Sequence, residues 1–258
     1  MGLHIVEKRP DGFHNIETVF YPIGWQDALE ILPADELNYQ SSGLAIDADL
    51  ENNLIVKAYR LLQADFNLPP ISIYLHKVIP MGAGLGGGSA DAAFALTALN
   101  RLFNLNLSVE KLQQYASQLG SDCAFFIEGK PVLAKGKGDE FNDVAVNLSG
   151  YHLAVIYPGI HVNTALAYSR VTPRGNNTTS LKDILNLPVS EWSKVLVNDF
   201  EPRVFHHFPE IGKIKTTLYN LGAEYAAMSG SGSSIFGLFK AAPDLSGWSE
   251  YTVWEEKL

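Results

Sequence analysis

The sequence predicts a mixed helix-and-strand protein, built as one large unit or two modest ones, and three observations predict it. With 258 residues of which 47% are apolar, the chain carries enough material for a sizeable core. Its early part holds short β-branched and aromatic runs broken by Pro and Gly, the pattern of strands. Near Pro80 a strand pattern, a glycine cluster and an alanine-rich helical stretch follow one another directly.

The elements read as follows. Val19 to Tyr21 and Ala28 to Leu32 are expected strands, separated by a break at Pro22 and Gly24. From Asn53, the residues Leu54, Ala58, Leu61 and Leu62 recur at helical spacing until Pro69-Pro70 stops them. Ile71 to Leu75 alternates, with Ile71, Ile73 and Leu75 on one face. The alanine-rich stretch to Asn100 has strong helix propensity, and Ser108 to Leu119 forms a second helix with Ser108 as N-cap and Gly120 as C-cap. Pro131 to Ala134 and Tyr151 to Tyr157 are further strands, and the polar Arg174 to Ser180 stretch is an expected mobile loop. A helix over Ile211 to Leu221 stops at Gly222, and a Ser/Gly run from Ser229 to Ser234 leads into the strand Ile235 to Phe239. A boundary is expected near 150, where Asn147 to Gly150 precede a fresh apolar strand.

Composition removes several function classes. Nineteen Lys and Arg against 28 Asp and Glu give a net charge of −9, which offers phosphate backbones no general attraction, so no nucleic-acid partner is expected. The single cysteine, Cys123, can form neither an internal disulfide nor a thiolate-rich metal site, and a cytoplasmic setting follows as the expectation. No run approaches the roughly 18 apolar residues of a membrane span, and the opening residues lack a signal peptide's apolar region, so no membrane association is expected.

The chemistry concentrates at Pro80-Met81-Gly82-Ala83-Gly84-Leu85-Gly86-Gly87-Gly88-Ser89, with five glycines in seven positions. Glycines let the backbone come close to a ligand, and a following helix offers free N–H groups and a positive dipole end to an anion. Phosphate binding is the natural expectation. No Lys follows the last glycine as in G-x-x-x-x-G-K-[S/T], and the acidic residue of a dinucleotide fingerprint is missing. Ser89 can offer its hydroxyl to a phosphate or to Mg²⁺, or can act as the helix N-cap.

The string P-M-G-A-G-L-G-G-G-S-A resembles the central motif of the GHMP small-molecule kinases, P-x-x-x-G-L-G/S-S-S-A. Its triple glycine is more typical of the branch that acts on a cytidine diphosphate-linked methylerythritol in non-mevalonate isoprenoid synthesis. The resemblance implies ATP as phosphoryl donor, with Mg²⁺, bound by residues from Pro80 to Ser89. Arg9-Pro10-Asp11-Gly12-Phe13-His14 resembles the family's R-x-D-G-Y/F-H segment, so Phe13 and His14 would meet the cytidine of the substrate; the plainer alternative is a turn leading into an ordinary strand. Leu119-Gly120-Ser121-Asp122-Cys123-Ala124-Phe125-Phe126 resembles the segment that carries the catalytic carboxylate, here Asp122, whose alternative role is to cap the next turn. Cys123 reads as a small buried hydrophobe.

Glu51-Asn52-Asn53-Leu54-Ile55 matches the family's helix opening beside the nucleotide pocket, where Asn53 would bind adenine or ribose or simply cap the helix. Lys77 resembles a basic position near the nucleotide; alternatively it is a solvated strand-edge charge. Ser229-Gly230-Ser231-Gly232-Ser233-Ser234 resembles a second glycine loop lying against substrate phosphates, through Gly230 and Gly232. Tyr168 falls where the family places an aromatic that stacks on cytosine. Lys135 and Lys137 are placed to offset diphosphate charge or to be solvated.

As a whole the resemblance implies an α+β GHMP kinase fold, with an N-terminal S5-like β/α subdomain over 1–150 and a C-terminal ferredoxin-like subdomain over 151–258. It implies transfer of the γ-phosphoryl group of ATP to the 2-hydroxyl of the methylerythritol unit, by a monomer or weak homodimer. Family members open with a further strand, P-A-K-I/L-N-L, whereas this chain opens at Met1-Gly2-Leu3-His4; a shortened start, with pockets kept and catalysis impaired, is the resulting expectation. The rival readings are a GHMP kinase of another small alcohol and a nucleotide-binding module without turnover.

Overall fold

A computed structural model of the chain describes residues 1–46, 49–168, 171–175 and 180–258. In chain order its elements are β1 (Leu3–Lys8), β2 (His14–Phe20), β3 (Ala28–Pro33), β4 (Asn38–Gly43), α1 (Leu54–Phe66), β5 (Ile71–Lys77), α2 (Gly87–Leu102), α3 (Val109–Leu119) and α4 (Phe125–Glu128). There follow β6 (Val132–Lys135), β7 (Glu140–Asp143), β8 (His152–Tyr157), α5 (Thr164–Tyr168), α6 (Leu181–Leu185), α7 (Val189–Val195), α8 (Glu201–His207), α9 (Pro209–Asn220), β9 (Tyr225–Met228), β10 (Ile235–Phe239) and β11 (Thr252–Lys257). Most of the expected loop over 174–180 lies outside the described residues.

The elements gather into two compact units that are not contiguous in sequence. Unit 1 is Met1–Gly24, Gly82–Leu85 and Pro131–Leu258; unit 2 is Trp25–Met81 and Gly86–Lys130. Compact packing therefore assigns the first 24 residues, and those from Pro131 to Gly150, to the same unit as everything after 150.

Unit 2 is a three-stranded sheet in the order β3-β5-β4 with helices against it, β5 running antiparallel to β3 and parallel to β4. Ile71, Ile73 and Leu75 point to the buried face of β5, as their period-two spacing requires. Helix α1 starts where Asn53 Oδ1 accepts the Ile55 amide at 2.9 Å, and it ends at Asn67, whose left-handed φ of 49° closes the last turn. Ser108 caps α3 by accepting the Lys111 amide. In α2 the small residues Ala92, Ala93 and Ala95, with Leu96 and Leu99, make the buried stripe.

Unit 1 holds two four-stranded antiparallel sheets, ordered β1-β2-β6-β7 and β11-β8-β10-β9. Every residue of β10 is buried, in keeping with its continuous apolar run and its inner place in the sheet. Helix α9 turns Ile211, Ile214 and Leu218 into a core shared with Ile5, Ile156 and Ile235. Buried Glu201 accepts the Met228 amide at 2.8 Å and the Lys215 ammonium at 2.6 Å, so its charge is both paired and hydrogen-bonded.

Candidate active site

In unit 2 the site begins with the start of α2. Gly86 is its N-cap, held at a left-handed φ of 70°, and no side chain caps the helix. A Cβ on Gly86 would stand 3.0 Å from the Phe126 ring, so glycine is required both for conformation and for room. Ser89 is thus the third helical residue and not the N-cap. The Ala90 amide already bonds to the Gly86 carbonyl, and the amides of Gly87, Gly88 and Ser89 form the open positive end of the helix.

Asp122 lies in the turn between α3 and α4. It caps no helix, because α4 has Ala124 as its N-cap and no side-chain cap. It is half-buried, and burial pushes its carboxyl above the ordinary carboxylate range, a shift that the Ser121 hydroxyl opposes by donating at 3.1 Å. Cys123 beside it is fully buried, and burial pushes its thiol up, with the Ser89 side chain opposing. The Phe126 ring of α4 packs against Gly86 at the start of α2, which is how Asp122 and Ser89, 33 positions apart, come to share one site.

Asn53 acts as the N-cap of α1. Lys77 is not solvated at a strand edge. Its side chain is fully buried, and its ammonium is closed between the carboxylates of Asp27 and Asp91. Burial pushes the Asp91 carboxyl up to about 6, with Lys77 opposing.

In unit 1 the two glycine loops meet backbone to backbone. Gly84 has a φ of 77°, and a Cβ there would stand 2.3 Å from the Ser229 carbonyl oxygen. The Ser229 hydroxyl donates to the Gly84 carbonyl at 2.8 Å, and the Ser234 amide donates to that of Ala83 at 3.0 Å. Within the second loop the Gly232 amide bonds back to the Ser229 carbonyl at 2.9 Å. Buried Asn198 steadies it from beneath, donating to the carbonyls of Met228 and Gly230 at 2.9 and 2.8 Å. The sequence offers no sign of Asn198, an isolated amide ahead of a helix; only the loop it supports reveals its use.

The turn expected at Asp11-Gly12 is present, with Gly12 at φ 85° and its amide bonded to the Arg9 carbonyl at 3.1 Å. It leaves Phe13 60% exposed, a large apolar ring facing solvent, with the Lys137 ammonium 5.3 Å from its centroid. His14 opens β2 and stacks on Tyr168 at 5.0 Å between centroids, with the planes 25° apart; burial, then Lys8, lowers its pKa. Tyr168 also meets Phe200 edge-on at 4.7 Å. Lys135 pairs with Glu17 at 3.0 Å. The structure stacks His14 on Tyr168, two residues that the resemblance assigns separately to cytosine, and sets Phe13 and Lys137 together.

Comparisons with known proteins follow the same lines. The family model described as GHMP kinases N terminal domain matches residues 53–130, and that described as GHMP kinases C terminal matches 180–248. A 4-diphosphocytidyl-2-C-methyl-D-erythritol kinase of Bacteroides fragilis is 55% identical over 243 residues, covering 93% of this chain and 88% of that one. The enzyme of the same name from Parabacteroides distasonis is 49% identical over 261 residues, covering 100% and 96%. A crystal structure of 4-(cytidine 5'-diphospho)-2C-methyl-D-erythritol kinase superposes with a TM-score of 0.81 at 31% identity, covering 98% of this chain and 94% of that one. An uncapped helix behind a glycine loop, a half-buried carboxyl in the turn beside it and relatives of this closeness converge on one result: the chain belongs to the GHMP kinase family, in its 4-diphosphocytidyl-2-C-methyl-D-erythritol kinase branch.

Proposed function

We propose that this kinase transfers the γ-phosphoryl group of ATP to the 2-hydroxyl of 4-diphosphocytidyl-2-C-methyl-D-erythritol. The observation that carries the reading is the Asp122 carboxyl, half-buried in the turn before α4, whose Phe126 ring packs against Gly86 at the open start of α2. A base and an anion cradle in one place are the two parts that phosphoryl transfer to an alcohol asks of a protein. The name shared by the relatives supplies the substrate.

In this reading the amides of Gly87, Gly88 and Ser89 hold phosphate oxygens and draw off the charge that builds on the transferring group. Asp122 accepts the proton of the 2-hydroxyl and aims its oxygen in line with the γ-phosphorus. The exposed Phe13 ring and the His14–Tyr168 stack take the cytosine, and the loop at Gly230 and Gly232 faces the substrate phosphates. Among the described residues no group of three His, Cys, Asp or Glu is placed to hold a metal ion. Mg²⁺ supplies charge neutralisation when bound, and the Ser89 hydroxyl is its candidate protein donor. The division into an N-terminal domain over 1–150 and a C-terminal one over 151–258 belongs to the same reading, supported by family matches at 53–130 and 180–248 on either side of it.

The test is ADP release by this chain with the cytidine substrate, set beside mevalonate and homoserine as acceptors. Turnover restricted to the cytidine substrate is expected; equal turnover with another alcohol, or none with any, would overturn the assignment.

A further inference from the structure

The glycine loop leaves a strand and runs into a helix, and within unit 2 both stems are fastened to one buried cation. Lys77 is the last residue of β5, and its ammonium pairs with Asp27 and, at 2.8 Å, with Asp91 of α2. None of the Lys77 side chain is exposed, against 3% for Asp27 and 9% for Asp91. Asp27 also accepts the amides of Val78 at 2.6 Å and Ile79 at 2.9 Å, the two residues that carry the chain to Pro80. The ammonium lies directly under the helix start, since a Cβ on Gly87 would stand 3.1 Å from Nζ.

A cation this deeply enclosed cannot touch a nucleotide, so any effect it has on one passes through the backbone it holds. Taking one ammonium and two carboxylates out of water is costly, and well-packed apolar side chains would stabilise the fold as well. What apolar packing cannot supply is direction. Here each bond fixes a specific part of the loop: Asp27 the outgoing strand, Asp91 the incoming helix, and Lys77 the spacing between them.

We propose that Asp27, Lys77 and Asp91 form a clamp across the stems of the glycine loop, positioning the amides of Gly87 to Ser89 for the phosphates of ATP. The inference rests on the reading that those amides hold the nucleotide. The three are positioning residues. Lys77 thus serves the nucleotide without contacting it.

The test uses the full chain carrying Asp91→Asn, with Asp27→Asn as a second variant that keeps an oxygen for the Val78 and Ile79 amides while losing the charge. Calorimetric titration with Mg·ATP is combined with steady-state kinetics in both substrates, and circular dichroism reports folding. A misplaced cradle should raise Kd and KM for ATP by about tenfold, with KM for the cytidine substrate and kcat moving much less. Unchanged ATP affinity beside a lowered Tm would make the triad a brace for the fold only and overturn the clamp, as would equal increases in both KM values. If the unaltered protein binds no ATP, the nucleotide assignment of α2 fails first and the clamp falls with it.

Discussion

A carboxyl group accepts a proton only while it is ionised, and burial sets that limit for Asp122. Its raised pKa moves the acid limb of kcat above that of an exposed aspartate near 3.9: turnover is full above the raised value and falls as pH drops through it. Asp122→Asn should lower kcat by about 10²- to 10⁴-fold, with calorimetric ATP affinity kept. A variant within tenfold of the parent would reduce Asp122 to an orienting group. His14→Ala, which removes the ring stacked on Tyr168, should raise KM for the cytidine substrate by about tenfold, roughly 1.4 kcal/mol, and leave KM for ATP in place. Weakened ATP binding in that variant would mean that the pocket has been assigned to the wrong ligand. Asp122, Phe13 and His14 could be singled out because each stands inside a short motif. Asp27 and Asn198 could not, because each acts through a contact distant in sequence that no local spacing records.

At the scale of elements, the sequence pattern found most of the longer strands and helices and missed most of the strands at sheet edges, buried or not. The overlooked strands β1, β4, β7, β9 and β11 all lie at sheet edges, where one side has no strand partner; β9 is buried throughout and β1 buries Leu3, His4 and Ile5, whereas β4 and β7 are polar, which discourages pairing with other chains. β4 reads Asn-Tyr-Gln-Ser-Ser-Gly and β7 Glu-Phe-Asn-Asp, neither of which carries an alternating apolar signal. The glycine loop could be read as an anion cradle from its sequence, but its packing against the second loop could not, and that packing distinguishes its glycines. Gly84→Ala forces a side chain into left-handed backbone at a cost of about 1–2 kcal/mol, and its Cβ would also meet the Ser229 carbonyl at 2.3 Å. A fall in Tm of at least about 2–4 °C is expected in a thermal melt. Gly88→Ala makes the contrast, because it lies in helix with no atom nearer than 4.0 Å to its Cβ, and its Tm should be unchanged or slightly raised. Equal losses in the two variants would show that the fit of the two loops is not what distinguishes them.

For the molecule as a whole, two of its buried groups, His4 and Asp91, contribute opposite pH dependences of stability. Both escaped the sequence reading, since burial is decided by segments that meet only after folding: unit 1 draws on three stretches of the chain and unit 2 on two. His4 is buried in β1 with neither ring nitrogen hydrogen-bonded, and desolvation, followed by the Arg174 charge, lowers its pKa against the opposing pull of Asp199 and Glu17. Below 6.5 the unfolded chain therefore takes up a proton that the folded chain refuses, and stability falls as pH drops, by at most about 1.4 kcal/mol per pH unit. Asp91 works the other way. With its native value near 6 against about 3.9 unfolded, the folded chain keeps a proton that the unfolded chain has released, so stability falls as pH rises from about 4 to 6 and is level above that. Between about 4 and 6 the two contributions oppose each other, and a flat profile there would conceal both. Urea denaturation from pH 4.5 to 7.5 separates them. His4→Gln should make the protein relatively more stable at pH 5 than at pH 7, and Asp91→Asn relatively less, because each removes one of the two slopes; any constant cost of the substitution cancels in the difference. Changes of the same sign in both variants would mean that these two groups do not govern the acid response, whatever their effect at neutral pH.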